Sequence, residues 1–269
     1  MIYAAGGGFE ARIISRQKQT PNPYNTRILS LYKAYKGTNL CEFWMQEQGA
    51  AVTAFLSRYA GNAVLDICPG ADAEELCGFL KMAGFRSALY DGAFDLKPAA
   101  AFAASGKTMC FVKNGVSQPM LPLQPEAPGL GELHNLLRDC AGEGFHPPDY
   151  ESFLLDMSHM TRHGCADIIA LRGSGTLTSC ALSLYQCDNA AVLGGVCCAP
   201  DKRRRGFGSQ AVLMLIGKLK GRAGRICSCI VPRGKPNVFM NGLVLKPAGA
   251  GGSIRVNNNR KIHRIRGKP

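Results

Sequence analysis

The 269-residue sequence has no long apolar run, since segments such as Ala211–Ile216 are far shorter than the roughly 20 residues that a membrane-spanning helix needs. Its first residues also lack the charged start and apolar core of a signal peptide. Hydrophobic residues make up 46% of the chain and charged residues 19%, which is typical of globular proteins and excludes disorder, collagen and coiled coil. We therefore predict a soluble cytoplasmic protein that does not bind a membrane.

Metal-binding patterns are missing too. None of the 12 cysteines forms a Cys-x-x-Cys pair, and the 5 histidines show no ligand spacing with them. Most cysteines lie in apolar segments, as Cys180, Cys197 and Cys198 do. This pattern predicts buried, reduced thiols and no metal site, rather than the disulfide framework of a short secreted protein.

Acidic residues almost disappear from the last quarter of the chain. Residues 1–200 contain 15 Lys and Arg against 18 Asp and Glu, whereas residues 201–269 contain 17 against one. Such asymmetry is typical of a basic tail that binds nucleic acid. However, the positive charge falls into two clusters, one at Lys202–Arg205 and one in the final residues, and the two need separate explanations.

A proline-rich segment divides the chain into two halves of similar pattern. We predict an N-terminal domain at 1–117, a linker at 118–130, a second domain at 131–248 and a basic tail at 249–269. In each half the apolar spacing favours three strands, a helix and a further strand. The repeated order indicates a duplicated α/β unit, although two unrelated α/β halves would also fit.

One loop carries the clearest chemical signal. Residues 199–209 read Ala-Pro-Asp-Lys-Arg-Arg-Arg-Gly-Phe-Gly-Ser and join an apolar strand to an amphipathic helix. Gly206 and Gly208 allow a tight turn, and the helix that follows presents unpaired N–H groups and the positive end of its dipole. Together with the arginines, these groups suit a pyrophosphate. The loop is neither a P-loop nor a three-glycine dinucleotide motif, so a solvated basic turn remains an alternative.

The motif Arg203-x-x-Gly206-x-Gly208, preceded by Cys198-x-Pro200, resembles the coenzyme A loop of the GNAT acyltransferase superfamily. The resemblance covers about residues 120–237. It implies tandem GNAT-like α/β folds, with a mixed central sheet that is splayed between its fourth and fifth strands and flanked by helices. It also implies that acetyl-CoA, as cosubstrate, binds at the residues that line this loop and the strand before it: Val196, Cys197, Cys198, Arg203, Arg204, Arg205, Gly206, Phe207, Gly208 and Ser209.

The first half differs at the equivalent turn, which reads Pro-Gly-Ala-Asp-Ala-Glu-Glu over residues 69–75. Three carboxylates at this helix N-terminus would stabilise the helix dipole themselves and would repel a pyrophosphate. We therefore expect a degenerate GNAT-like unit that does not bind coenzyme A and that helps to shape the acceptor cleft or the packing.

The resemblance ends after the predicted fifth strand. GNAT domains often have a Phe-Tyr-x-x-Leu-Gly-Phe segment there, whose tyrosine can protonate the departing thiolate, but no tyrosine follows Val238. When the codons from Val238 are read two bases late, they can encode Phe-Tyr-Glu-Arg-Leu-Gly-Phe, with the Glu forced by the Met240 codon. We therefore hypothesise that residues 238–269 come from a shifted frame, and we expect residues 249–269 to pack poorly.

The residues do not single out a catalytic base. Asp167 and Asp188 lie at strand ends, and Tyr185, Cys197 or a water relay are alternatives.

We predict an N-acetyltransferase that moves an acetyl group from acetyl-CoA directly to an amine, on a small molecule or a peptide. The alternatives are a non-catalytic coenzyme A-binding or regulatory protein that lacks the tyrosine acid, and a nucleic-acid binder with a basic tail, which we do not favour. The sequence sets neither the acceptor nor the oligomeric state.

Overall fold

The structure is a computed structural model of the chain, and it describes residues 1–94, 96, 104–114, 123–142, 145–173, 175–221, 226–232, 243–247 and 253–256. Across those residues, every helix is too short or too polar to cross a membrane.

The first half has mixed α/β structure. Its elements, in chain order, are β1 (Ile2–Ala4), α1 (Phe9–Gln19), α2 (Pro23–Tyr35), β2 (Cys41–Gln48), β3 (Ala51–Tyr59), β4 (Asn62–Ile67), α3 (Ala73–Met82), β5 (Ser87–Asp91) and β6 (Ala104–Asn114). The predicted strand–strand–strand–helix–strand unit is confirmed as β2, β3, β4, α3 and β5. The sequence prediction did not include β1, α1, α2 or β6.

The second half repeats this order. Its elements are β7 (Pro125–Glu126), α4 (Leu130–Asp139), α5 (Tyr150–Arg162), β8 (Asp167–Gly173), β9 (Thr176–Gln186), β10 (Ala190–Cys198), a short 3-10 turn (Pro200–Lys202), α6 (Phe207–Lys220), β11 (Ile226–Pro232), β12 (Leu243–Pro247) and β13 (Ser253–Val256). Each half therefore has a short strand, two helices and then the repeated unit. The predicted strand–strand–strand–helix–strand unit of this half is confirmed as β8, β9, β10, α6 and β11.

The described strands form one mixed sheet in which the two halves are arranged in mirror order. The order is β1-β2-β3-β4-β5-β13-β6-β11-β10-β9-β8-β7, with β12 also paired to β6. The halves exchange strands at its centre. β6 lies antiparallel to β11 of the second half, whereas β13 lies antiparallel to β5 of the first half.

The sheet opens between the fourth and fifth strands of each half. β10 pairs with β11 only from Ala190 to Leu193, and β4 pairs with β5 only from Asn62 to Val64. Both pairs are parallel, and in each the fourth strand continues beyond the last paired residue. The splayed sheet that the resemblance implied is therefore present, and it occurs in both halves.

Each half also has a helix packed on one face of the sheet. The α6 side chains predicted to form an apolar stripe, Val212, Leu215, Ile216 and Leu219, are all buried. They pack with Leu171 of β8 and Phe111 of β6. On the opposite face, α1, α2, α4 and α5 supply a single core whose buried residues come from both halves.

The C-terminal segment and the linker contain strands that the sequence did not predict. Residues 249–269 were expected to pack poorly, yet Ser253–Val256 form a strand that pairs with both β5 and β6. Backbone hydrogen bonding to two neighbours stabilises a strand even in a glycine-rich context. Within the predicted linker, Pro125 and Glu126 pair with β8. The domain boundaries and the frameshift stay predictions, and residues 233–242 and 257–269 lie outside the described residues.

Candidate functional site

The loop from Ala199 to Gly206 carries the end of β10 to the start of α6. Helix α6 begins at Phe207, and Gly206 is its N-cap with φ +89°. Glycine adopts this left-handed conformation without steric cost, whereas most residues do not. A Cβ added at Gly206 would meet no atom within 4 Å, so the backbone here faces open space.

The first turn of α6 exposes N–H groups that the helix cannot use. The N–H of Gln210 donates to the Gly206 carbonyl at 2.9 Å, which leaves the amides of Phe207, Gly208 and Ser209 without partners inside the helix. The N–H of Gly208 points at the Cys198 thiol. The remaining amides lie at the positive end of the helix dipole, which favours an anion.

The three predicted arginines of the loop are exposed, but they differ in backbone and contacts. Arg204 has φ +63°, an uncommon value for a residue with a side chain. The Arg203 Nε donates to the Cys198 carbonyl at 3.3 Å, which ties the loop to the end of β10. The structure therefore places the loop residues and the end of β10 side by side, as the motif predicted.

A bulge interrupts β10 where the sheet opens. The register with β9 shifts between Gly194 and Cys197, and Gly195 has φ +53°. A Cβ at Gly195 would lie 2.3 Å from Leu182 Cδ1, so any other residue would require the Leu182 side chain to shift. The sequence reasoning passed over this feature, although two adjacent glycines inside an apolar strand are a recognisable signal of a bulge.

The equivalent turn of the first half is filled by the protein's own side chains. Asp72 caps α3 by accepting the N–H of Glu75 at 2.9 Å. Glu75 in turn accepts the N–H of Ile2 at 2.6 Å and a hydrogen bond from the Gln46 side chain at 2.9 Å. Desolvation alone would raise the pKa of the Glu75 carboxyl, but the Met1 ammonium group at 3.1 Å and these hydrogen bonds hold it below its usual range, so the carboxylate stays charged at the helix N-terminus.

A cavity of about 300 Å³ adjoins the β10 bulge and is bordered by Gly195. Side chains from both halves line it, with Leu31, Tyr35 and Tyr59 from the first half. From the second half, α5 contributes Asp156, Met157 and Met160, and β9 contributes Leu182, Leu184 and Tyr185. The first half therefore contributes side chains to the wall of this cavity.

Two tyrosines and a carboxylate meet at one side of the cavity. The Tyr35 hydroxyl donates to Asp156 Oδ1 at 3.3 Å, and the Tyr59 hydroxyl donates to the same oxygen. Burial, together with the charge of Asp156, raises the pKa of Tyr35 to about 12. Burial and Asp156 also raise the pKa of Tyr59, so both hydroxyls keep their protons and act as donors. Sequence reasoning missed this group because its members lie far apart in the chain.

The candidate bases from the sequence lie in different surroundings. Asp167 is buried and forms an ion pair with Lys218 at 2.6 Å, while Asp188 is exposed and pairs with Lys33 at 3.2 Å. Cys197 is buried, and although its contact with the Cys140 thiol lowers its pKa, the Cys180 thiol and burial together raise that pKa to about 12. Tyr185 lines the cavity and lies under the Arg27 guanidinium at 4.5 Å. Of these four, only Tyr185 faces the cavity.

Ten cysteines of the described part are present as thiols, as the sequence predicted for Cys180, Cys197 and Cys198. Within the same part, no three His, Cys, Asp or Glu side chains form a group that could hold a metal ion.

No family model matches the sequence, and a search of curated proteins finds no match. Solved structures do resemble it over nearly the full chain. A Drosophila protein has 11% identity and a TM-score of 0.66, and the alignment covers 96% of this chain and 99% of that one. A tandem GNAT protein from the clavulanic acid biosynthesis pathway has 11% identity and a TM-score of 0.62, with 95% and 96% covered.

An acetyltransferase from the GNAT family of Colwellia psychrerythraea is similar too, at 12% identity and a TM-score of 0.56 over 95% of this chain and 97% of that one. At such low identity the likeness shows the fold alone. The chain thus has tandem GNAT-like folds.

Proposed function

We propose that this protein is an acyltransferase that moves an acetyl group from acetyl-CoA to an amine by direct transfer. One observation carries the proposal, namely that three features adjoin one another along β10. They are the opening in the sheet, the glycine-capped N-terminus of α6 and the cavity at Gly195. The GNAT-like fold supports the proposal, because it places a site for phosphate, a free strand edge and a cavity for the acetyl acceptor next to one another.

The pyrophosphate of acetyl-CoA would bind to amides of the loop and of the first turn of α6, from Arg204 to Ser209. The open space at Gly206 fits this role, because phosphate oxygens must come close to the backbone. The arginines add positive charge around the phosphates. The backbone of Val196–Cys198, which extends past the last pairing with β11, would pair with the pantetheine arm.

In the transfer, the amine nitrogen forms a bond to the acetyl carbonyl carbon while the carbon–sulfur bond breaks. An ammonium ion has no free electron pair, so it first loses a proton to a base or to solvent. The departing thiolate takes a proton from solvent, and the products are an N-acetylamine and free coenzyme A. Amides of β10 near the carbonyl would polarise it, and proximity would supply much of the rate.

The first half is proposed to have lost this role. At its α3 N-terminus Asp72 already accepts the N–H of Glu75, and the charged Glu75 carboxylate lies in the same first turn. Carboxylates there would also repel the pyrophosphate. We expect one acetyl-CoA to bind per chain.

The proposal is tested by titrating the purified protein with acetyl-CoA in a calorimeter and by measuring free thiol release with a panel of amines, polyamines and peptides. Binding with a stoichiometry of one, together with amine-dependent thiol release and an acetylated product, supports it. Binding without any transfer would favour a non-catalytic coenzyme A-binding protein. If the protein shows no acetyl-CoA binding and no transfer, the proposal is wrong. Salt-dependent DNA binding would then favour the basic-tailed alternative.

A further inference from the structure

The cavity beside Gly195 has mostly apolar walls. Leu31, Phe153, Met157, Met160 and Leu182 surround it, and its volume of about 300 Å³ lies at the lower end of ligand-binding pockets. An occupant must therefore be small, and most of its surface must be apolar, because a polar group that finds no partner against these walls loses its hydration without compensation.

Asp156 is the one carboxylate among the described residues that line this cavity. Both tyrosine hydroxyls donate to its Oδ1, and Oδ2 has no hydrogen-bond partner among the residues that the structure describes. No described Lys, Arg or His forms an ion pair with it, whereas the buried carboxylates of Asp66 and Asp167 pair with Arg16 at 2.9 Å and with Lys218 at 2.6 Å. A half-buried carboxylate with a free oxygen and no counter-ion is suited to receive a cation.

The two tyrosines fix where that carboxylate points. Tyr35 is 2% exposed, its ring stacks on His159 with centroids 4.4 Å apart, and the His159 Nε2 lies 2.6 Å from the Ala34 carbonyl. Tyr35 and Tyr59 also contact each other, with hydroxyl oxygens 3.2 Å apart. The cluster is held from α2, β3 and α5 at once, so that Asp156 is oriented before any ligand arrives.

We propose that the acetyl acceptor is a small primary amine with an apolar body, bound as its ammonium ion by Asp156, whose carboxylate is oriented by Tyr35 and Tyr59. This inference rests on the proposed function for the acetyl transfer, but the binding of the amine does not require it. The same features disfavour a polyamine, since a second ammonium ion would lie against Leu and Met side chains without a second carboxylate. They also disfavour a peptide, whose amides need partners that the apolar walls do not offer.

The test compares two probes of matched size, 2-phenylethylamine, which is charged at pH 7, and 2-phenylethanol, which is neutral. Calorimetry on the full chain should show that the amine binds at least about tenfold more tightly than the alcohol, which is the effect of one charge-assisted hydrogen bond. Asp156→Asn should remove this preference and leave the alcohol's affinity unchanged. Glu151→Gln on the same helix is the matched control, because Glu151 is exposed and outside the cavity.

Tyr59→Phe keeps the carboxylate but removes one donor, so it should reduce the preference by less than Asp156→Asn does. Equal binding of the two probes to the wild-type protein would overturn the inference without any variant, and so would a preference that survives in folded Asp156→Asn. Acetylation of the bound amine is measured separately. Binding of 2-phenylethylamine at Asp156 without acetylation of any amine or peptide would refute the proposed function and leave the binding site standing. Acetylation of spermidine or peptides but not of 2-phenylethylamine would support the proposed function and overturn the assignment of Asp156 to the acetyl acceptor.

Discussion

At the scale of single residues, substitutions at Gly206 test most directly whether the loop binds acetyl-CoA. Gly206→Asp adds a negative charge to backbone that faces open space, and it should abolish acetyl-CoA binding in calorimetry. Gly206→Asn is the matched control, because Asn has almost the same size and tolerates a positive φ better than most residues. The Asn variant should bind clearly more tightly than the Asp variant. Equal affinities for both would show that charge at this position does not matter.

Tyr35 gives a prediction about alkaline pH. Its pKa rises from 10.0 to about 12 on folding, mainly through burial, so the unfolded chain loses this proton first as the pH increases. The free energy of unfolding should therefore be unaffected by Tyr35 ionisation below pH 10 and should fall between pH 10 and about 12.

Tyr35→Phe should cost about 1 kcal/mol at pH 7 through the lost hydrogen bond to Asp156, and it should make the alkaline fall shallower. Urea denaturation at pH 8 and pH 11 measures both effects. Tyr150→Phe, which removes a 46% exposed side chain on α5, is the control and should keep the wild-type fall. A Tyr35→Phe profile parallel to that of the wild type would contradict the prediction.

The residues of the cofactor loop could be predicted from sequence because they are adjacent in the chain and their chemistry depends on backbone geometry that glycine signals. Asp156 could not, since its significance depends on Tyr35 and Tyr59, which lie 121 and 97 residues away. Only packing of the two halves brings these three side chains together.

At the scale of elements, the bulge of β10 determines where the sheet opens. Gly195→Ala places a Cβ 2.3 Å from Leu182 Cδ1, and Leu182 is only 1% exposed, so it has little room to move. With the added strain of φ +53°, we expect a loss of about 1–3 kcal/mol in the free energy of unfolding.

Gly217→Ala is the control for this variant, because Gly217 lies on the exposed face of α6 and an added Cβ would meet no atom within 4 Å. Alanine should stabilise the helix there by up to about 1 kcal/mol. Urea denaturation compares the two, and a Gly195→Ala variant as stable as the wild type would show that the bulge can accommodate a side chain.

Elements with strong local signals were predicted well. The positions of α4 and α6 follow from their apolar stripes, and those of the strands between turns follow from their apolar residues, without tertiary information. Helix α2 is bordered by signals that could also have been read, namely Pro23 at its first position and Asn22 as N-cap in a capping box with Asn25. In contrast, β13 depends on pairing with β5 and β6, and nothing in its glycine-rich surroundings predicts a strand.

At the scale of the whole molecule, the C-terminal strands bear on the reading-frame hypothesis. β12 and β13 pair with β6, so the sequence as written does provide strands at the centre of the sheet. The origin of residues 238–269 stays a prediction, which resequencing of the gene decides directly. A confirmed frame through Pro269 would show that the hypothesis is wrong.

The last prediction is that the two halves unfold as one unit. Strand β6 is part of the predicted domain 1–117, yet its Phe111 packs in the core under α6, and Lys220 lies over that ring at 4.4 Å. On the other face, Ser30 of α2 accepts the Gln186 N–H at 3.2 Å, and the Cys187 thiol donates to the Thr26 carbonyl at 3.4 Å. Either half alone would expose the surface that these contacts cover.

Urea denaturation followed by tryptophan fluorescence and by circular dichroism should therefore give coincident single transitions, since the only tryptophan, Trp44, reports on the first half and the dichroism on both. Fragments 1–117 and 118–269, expressed separately, should lack a cooperative transition. Two separated transitions, or a fragment that folds alone, would contradict this prediction. The cavity at Asp156 is lined by side chains from both halves. The interface between the halves therefore also holds Tyr35 and Tyr59 beside Asp156, and the cavity should be lost in the same unfolding transition.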